Sequence, residues 1–335
     1  NPVDIEWGVD LLTHLKTDQA FIVLADPAAI SVAAEAQLRQ HWGAPCIHWI
    51  WQTSAQSSIG AAAQLCQQLW PLWDKNPHAA LLAIGGGTTL DLAKIARFQF
   101  DDLNTAPAVW RANKLPKQHH RHTLWCAPTT SGTGSEVGRG AMLILDDGRK
   151  VGILSPYVVP RSAICDPELT LDLPPLLTAA TGMDAITHCC ESFMSSALNF
   201  PAEGIALDGL WRGWAHIERA TKQPHDREAR FHMMSASTQG AMSFQKGLGA
   251  VHSLSHSLGG MNPRLHHGTL NAMFLPAVIT FNQSEASMQK GKKLERLAQA
   301  MGLSQGAEVA PAIKAMNQRL GLPSGLAAID RKSVV

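Results

Sequence analysis

The sequence predicts two domains in series, an α/β domain over residues 1–172 and an all-helical domain over 173–335. Three observations carry that prediction. Short apolar runs at 21–25, 46–51 and 79–84 alternate with longer amphipathic stretches at 27–42 and 57–73, the rhythm of βαβ units around a parallel sheet. The third run leads directly into Gly85, Gly86 and Gly87 and then a helix start. After Pro174 strand signals vanish, and helical periodicity occupies 176–193, 201–220, 226–244, 268–281 and 284–301. A chain of 335 residues also exceeds what one core usually supports.

Taken in order, the first strand closes at Asp26, followed by Pro27 at the expected start of a helix. Aspartate before proline suits an N-cap with proline in the first helical position. An acidic group at that strand end is equally suited to accept hydrogen bonds from a ribose and to repel a 2′-phosphate. The run at 79–84 and its three glycines form a strand, a turn without side chains and a helix N-terminus. Such a turn allows close approach of an anion, and the helix end adds partial positive charge, so Gly85, Gly86, Gly87 and Thr88 suit a pyrophosphate, with Asp91 in the same motif. A plain tight turn explains the glycines equally well. A further strand at 123–127 enters a hydroxyl-rich loop containing Thr129, Thr130 and Ser131, and ligands bind at such strand ends in open α/β sheets. Residues 141–145 and 150–154, joined through Asp146, Asp147 and Gly148, read as a hairpin. The sheet is expected to end near Cys165, and the prolines of 166–175 mark the boundary.

Bulk composition narrows the partners. With 28 basic and 27 acidic residues the net charge is +1, which gives no broad footprint for nucleic acid or an anionic membrane. No stretch reaches the ~18 continuous apolar residues of a spanning helix. The six cysteines are scattered without a CxxC pair, so reduced thiols and a cytoplasmic location are expected. Ten tryptophans against one tyrosine read as core filling.

The helical half carries a concentrated set of donors. Asp184 and His188 are four apart, as are His252 and His256, and His266 and His267 follow shortly after. Residues four apart share a helix face, so each pair can reach one ion. One carboxylate with several imidazoles suits Fe(II) or Zn(II), whereas oxygen-only sites for Ca or Mg would not need the imidazoles. The other ten histidines, from His14 to His232, read as surface or capping residues.

These motifs together resemble the iron-containing (group III) alcohol dehydrogenases. The resemblance runs from Ile5, Glu6, Trp7 and Gly8 through the triple glycine with Asp91 and Lys94, the Pro128 to Glu136 loop, and Asp166 with Pro167. It continues through Gly182, Met183, Asp184 and His188 with Glu191, the His252/His256 pair, and His267 and Gly268 with Asn271, Ala272, Leu275 and Pro276. It implies a dehydroquinate-synthase-like fold, with a dinucleotide domain, a helical domain and an active site in the cleft between them. The metal ligands it implies are Asp184, His188, His252 and His267. Family members commonly place the last ligand ten positions after the second histidine of the pair, which would select His266. Registering Gly268, Asn271, Ala272 and Pro276 selects His267, leaving His266 as the alternative. His256 corresponds to the residue that relays a proton to or from the substrate oxygen. Gly85, Gly86, Gly87 and Thr88 correspond to the phosphate site, Thr129, Thr130 and Ser131 to the dinucleotide lining, and Asp26 to the ribose contact.

The implied activity is an NAD(P)-linked alcohol dehydrogenase or aldehyde reductase, preferring NAD, with a divalent metal, Fe(II) before Zn(II), acting as a Lewis acid. A dehydroquinate-synthase-like or glycerol-dehydrogenase-like enzyme of the same fold is the alternative; the synthase chemistry wants more basic residues near the ligands than Arg139 and Arg264 provide. Those two arginines raise the prospect of an anionic aldehyde. A small-molecule substrate and a homo-oligomer, a dimer, are expected. The family usually continues beyond a segment like 320–323, so the C-terminal end is expected to be incomplete.

Overall fold

The computed structural model describes residues 3–99, 106–111, 120–262 and 264–329. The chain divides into two compact units, one of residues Asn1–Thr129 and Ser135–Thr170, the other of Thr130–Gly134 and Leu171–Val335. The first is a parallel α/β unit and the second is helical, as the sequence predicts. The short Thr130–Gly134 segment of the hydroxyl-rich loop clusters with the helices. Among the described residues no helix is long and apolar enough to cross a membrane.

The first unit runs β1 (Asp4–Trp7), α1 (Leu11–His14), β2 (Phe21–Ala25), α2 (Val32–Trp42), β3 (Cys46–Trp51), α3 (Ile59–Lys75), β4 (Ala80–Gly85), α4 (Gly87–Ala96), β5 (Phe98–Gln99), α5 (Ala106–Arg111), β6 (His120–Arg121), β7 (Leu124–Pro128), β8 (Gly140–Ile144), β9 (Lys150–Leu154) and β10 (Ser162–Cys165). Six strands form one sheet in the order β1-β10-β7-β4-β2-β3, every neighbouring pair parallel. The predicted hairpin is β8 with β9. β1 has only four residues, three of them exposed, and so carries no buried apolar run; pairing to β10 makes it a strand.

The unbroken apolar runs of β2 and β4 follow from helices on both sheet faces. Alternate side chains feed different cores: Ile22, Leu24, Leu81 and Ala83 enter one cluster, while Phe21, Val23, Ala25, Ala80, Leu82 and Ile84 enter the other. Tryptophans complete both, Trp70, Trp73 and Trp110 in the first and Trp42 and Trp49 in the second. Trp211, by contrast, is exposed. The helix expected from Pro27 begins five residues later. Residues 27–30 form a turn whose Ala28 N–H donates to Asp26 Oδ1 (2.9 Å), and Ser31 is the N-cap, its Oγ accepting from Ala34 N.

The helical unit contains α6 (Pro175–Met194), α7 (Phe200–Lys222), α8 (Arg227–Ser243), α9 (Ala250–Met261), α10 (His267–Asn282), α11 (Ala286–Lys290), α12 (Lys293–Ala300), α13 (Val309–Arg319) and α14 (Leu326–Ile329). The single helix expected over 284–301 is two, broken where Lys292 adopts a left-handed backbone (φ 46°) after Gly291. α6 is the central helix, buried along Thr178–Met194 and packed by α7, α8 and α10. The N-terminus of α10 approaches it so closely that a Cβ added at Gly268 would lie 2.1 Å from the Ala180 carbonyl oxygen. Any side chain there must push the two helices apart.

Replacing Gly268 with Ala is therefore expected to destabilise the protein by about 1–3 kcal/mol through overpacking, read as a lower urea midpoint. Gly259→Ala, at a helical position with nothing within 4 Å of the added Cβ, is expected to be neutral or stabilising by up to about 1 kcal/mol. Equal midpoints for the two variants would contradict the close α6–α10 approach.

Candidate metal centre

Asp184 and His188 lie one turn apart on α6, and α9 and α10 bring His252 and His267 to them. The Nε2 atoms of His188, His252 and His267 stand 3.8, 3.6 and 3.7 Å from one oxygen, Asp184 Oδ1. Donor atoms of Asp184, His252 and His267 all lie within 4.8 Å of one another; His188 stands outside that mutually close group, 3.8 Å from Asp184 Oδ1 and with its ring stacked on that of His252 at 4.6 Å between centroids. Donors about 2.1 Å from one ion at tetrahedral angles are separated by roughly 3.4 Å. The spacing of Asp184, His252 and His267 fits part of such a set, with His188 next to it, and a carboxylate with imidazoles is the donor chemistry of a divalent transition metal.

The electrostatics is that of a buried charge surrounded by imidazoles. Burial alone would raise the Asp184 carboxyl pKa, but His188, His267 and His252 outweigh it and hold the group well below the usual carboxylate range. His188 goes the other way: burial pulls it down to about 4, against upward contributions from Asp184 and the Gly132 backbone. Burial would lower His252 too, but carboxylates at both ring nitrogens, Asp184 and Glu191, raise it to about 9.

His256, one turn beyond His252 on α9, is half-buried. Its ring centroid is 4.7 Å from that of His267 and 5.9 Å from that of His252. His266 is the N-cap residue of α10 and is absent from the close donor group, which contains His267. Arg264 is exposed in the 262–266 connection, its backbone N–H donating to Asn262 Oδ1, and Arg139 is exposed with its carbonyl accepting from Ser155 N.

Two residues quoted only as motif members prove to belong to the centre. Glu191 Oε2 lies 2.5 Å from His252 Nδ1. The fully buried Asn271 donates from Nδ2 to Asp184 Oδ1 (2.7 Å), with Nδ2 also 3.2 and 3.1 Å from the Nε2 atoms of His252 and His267. Both could be found by spacing, Glu191 seven after Asp184 and Asn271 four after His267, on the same helix faces. Among the ten histidines read as superficial, His122 departs: between β6 and β7, with its backbone N–H donating to the Arg97 carbonyl, it is 3 % exposed and stacks on Trp73 of α3 at 3.8 Å. His119 lies outside the described residues.

In the α/β unit the registers Ala25↔Ile84 and Gly85↔Pro128 end β2, β4 and β7 at one level. Asp26, the Gly85–Gly87 turn and Thr129 therefore follow adjacent strand ends, and Thr129 N donates to the Gly85 carbonyl. Strand order reverses between β2 and β4, since β3 lies outside β2 and β7 lies on the far side of β4; such a switch point is where α/β sheets open a crevice. Gly86 caps α4 without a side-chain hydrogen bond, and Gly86, Gly87 and Thr88 are half-buried, so amides of the first helical turn remain for an anion. In the helical unit Thr130 is half-buried, and Ser131 Oγ is buried with no hydrogen-bond partner among the described residues. Asp91 is directed inward: its carboxylate accepts from Ser135 Oγ (2.7 Å) and Met142 N (2.9 Å), and burial raises its pKa against the pull of Lys94.

Residues 10–167 match the family model of the iron-containing alcohol dehydrogenases, and residues 178–333 match that of the C-terminal part of the Fe-containing alcohol dehydrogenase family. The chain is 55% identical over 253 residues to 4-hydroxybutyrate dehydrogenase of Cupriavidus necator, covering 73% of this chain and 66% of that protein. It is 33% identical over 260 residues to NAD-dependent methanol dehydrogenase of Bacillus methanolicus, covering 76% and 67%. The chain thus spans about two thirds of the length of these relatives. Its fold resembles that of sulfoacetaldehyde reductase from Bifidobacterium kashiwanohense, solved with NAD+, at a TM-score of 0.86 and 24% identity over 99% of this chain and 88% of that one. The chain belongs to the iron-containing alcohol dehydrogenase family.

Proposed function

We propose that the chain is a metal-dependent, NAD-linked dehydrogenase that interconverts a small alcohol and its aldehyde. The observation that carries this is Asp184 Oδ1 with three imidazole Nε2 atoms at 3.6–3.8 Å. Asp184, His188, His252 and His267 would hold a divalent ion, Fe(II) before Zn(II). When bound, the ion supplies Lewis-acid polarisation of the substrate oxygen, and NAD(H) supplies the hydride acceptor or donor.

The chain's own residues do the rest. His256, half-buried beside His267, takes the proton of the alcohol or returns one to the aldehyde oxygen, a task suited to imidazole near neutral pH. Backbone amides at Gly86, Gly87 and Thr88 hold the pyrophosphate, Gly85 keeps the turn tight, and Thr129, Thr130 and Ser131 line the dinucleotide. Asp26 at the β2 end binds the ribose and favours NAD over NADP; the name of the methanol dehydrogenase relative points the same way. Asp91 serves this set at one remove, fixing Ser135 behind the hydroxyl-rich loop.

The 55% identity to a 4-hydroxybutyrate dehydrogenase supports a substrate with a carboxylate at the end opposite its hydroxyl. Arg264, exposed in the connection that leads into His267, is the proposed partner of that carboxylate. A homodimer in the cytoplasm is inferred with this function, in keeping with six free cysteines.

The deciding experiment is NADH oxidation by metal-reconstituted protein across neutral and ω-carboxylated aldehydes. His188→Ala and His267→Ala are expected to lose metal and turnover together, while His266→Ala keeps both; full turnover by metal-free protein would refute the proposal. Arg264→Ala is expected to raise KM for carboxylated aldehydes about tenfold, a modest loss for an exposed charge. An equal rise with neutral aldehydes would remove Arg264 from substrate recognition. Because His252 titrates at about 9 without the ion and binds metal only through a deprotonated Nε2, metal affinity is expected to rise with pH. The slope should be about tenfold per unit between pH 7 and 8.5, with a proton released per ion. Chelator competition at several pH values measures it, and a flat profile would count against His252 as a ligand.

A further inference from the structure

Glu191 has a contact set that neither the proposed reaction nor the nucleotide site uses. Its side chain is 1% exposed, and it lies on the α6 face of Asp184 and His188. One carboxylate oxygen, Oε1, accepts from Val251 N at 2.8 Å; the other, Oε2, accepts from His252 N at 3.3 Å and lies 2.5 Å from His252 Nδ1. α9 begins after Gly249, which offers no side-chain cap. A Cβ at Gly249 would lie 2.8 Å from Glu191 Oε1, so the glycine leaves room for a carboxylate from another helix. Glu191 therefore fills from α6 the role that a serine or aspartate N-cap fills locally, satisfying two first-turn amides and placing negative charge at the positive end of α9.

We propose that Glu191 is the positioning residue of the metal centre: it docks the first turn of α9 onto α6 and commits His252 to present Nε2 to the ion. With Nδ1–H held by a carboxylate, the imidazole has one tautomer and one orientation, and the carboxylate strengthens Nε2 as a donor. Capping and ligand orientation come from the same two oxygens, so the helix cannot shift without turning the ligand. Glu191 does not touch substrate. The inference rests on the metal reading of Asp184, His188, His252 and His267.

The test is Co(II) binding to the full chain, followed by chelator competition and by the visible d–d spectrum, with thermal unfolding of the metal-free protein measured in parallel. Glu191→Gln retains the shape and an oxygen for Val251 N but loses the charge. It is expected to weaken Co(II) binding by about 10–100-fold and to alter the d–d bands. Glu191→Asp keeps the charge one methylene short, and should bind with intermediate affinity; it serves equally if the glutamine variant does not fold. Wild-type affinity and an unchanged spectrum in either folded variant, even with a lowered Tm, would reduce Glu191 to a helix cap and overturn the proposal. If the wild-type chain itself takes up no Co(II), the metal reading fails first, and the variants are not needed to show it.

Discussion

A carboxylate buried in the middle of a helical core is the constraint around which the second unit is organised. Asp184 is 3% exposed on α6, which is buried without a break from Thr178 to Met194, and an uncompensated charge there would cost several kcal/mol. Compensation requires donors or cations from outside α6, because only His188 lies within reach on the same helix. His252 and Asn271 come from α9 and α10, with His267 beside them. Each needs its own helix to approach closely, and the chain provides for this with small residues at the contacts: Gly268 under the Ala180 carbonyl and Gly249 beside Glu191. Stability and ligand convergence are thus met by the same contacts.

That coupling has a consequence for the imidazoles, which are not equivalent. For His188 burial outweighs the pull of Asp184 and Glu191 and lowers it to about 4, while at His252 the same two carboxylates, one at each ring nitrogen, outweigh burial and raise it to about 9. An arrangement of this kind brings one ready-made neutral donor, His188, and one strongly basic donor, His252, to the same oxygen, which suits an ion that must be bound firmly yet still polarise a substrate.

The α/β unit depends on a different constraint, a sheet buried on both faces. Full burial of β2 and β4 leaves only strand ends and helix N-termini for ligand contact. The reversal of strand order between β2 and β4 puts three loops, at Asp26, Gly85–Gly87 and Thr129, side by side. Nothing about those loops is chemically unusual one at a time; adjacency is what makes them a candidate dinucleotide site.

Much of this was readable in the chain. Short apolar runs and period-3.6 patterns marked most strands and helices because burial imposes them directly on local sequence, and the four-residue spacing of Asp184 and His188 is a property of one helix. Long-range choices were not readable from local spacing; only motif register with the family favoured His267 over His266. Whether His266 or His267 joins Asp184 depends on how α10 crosses α6, a contact made 83 residues away in sequence from Asp184 to His267 and decided by the space at Gly268. The inward turn of Asp91 needed Ser135 and Met142, the late start of α2 needed the Asp26 turn to compete with a cap, and the break at Lys292 left the helical pattern on both sides intact. By itself the sequence determined the order of the two units and which side chains share a helix face, since these follow from local periodicity. Only the tertiary structure decided which faces meet and how near each named side chain comes to Asp184, because close approach of helices is fixed by packing between residues that the chain order keeps far apart.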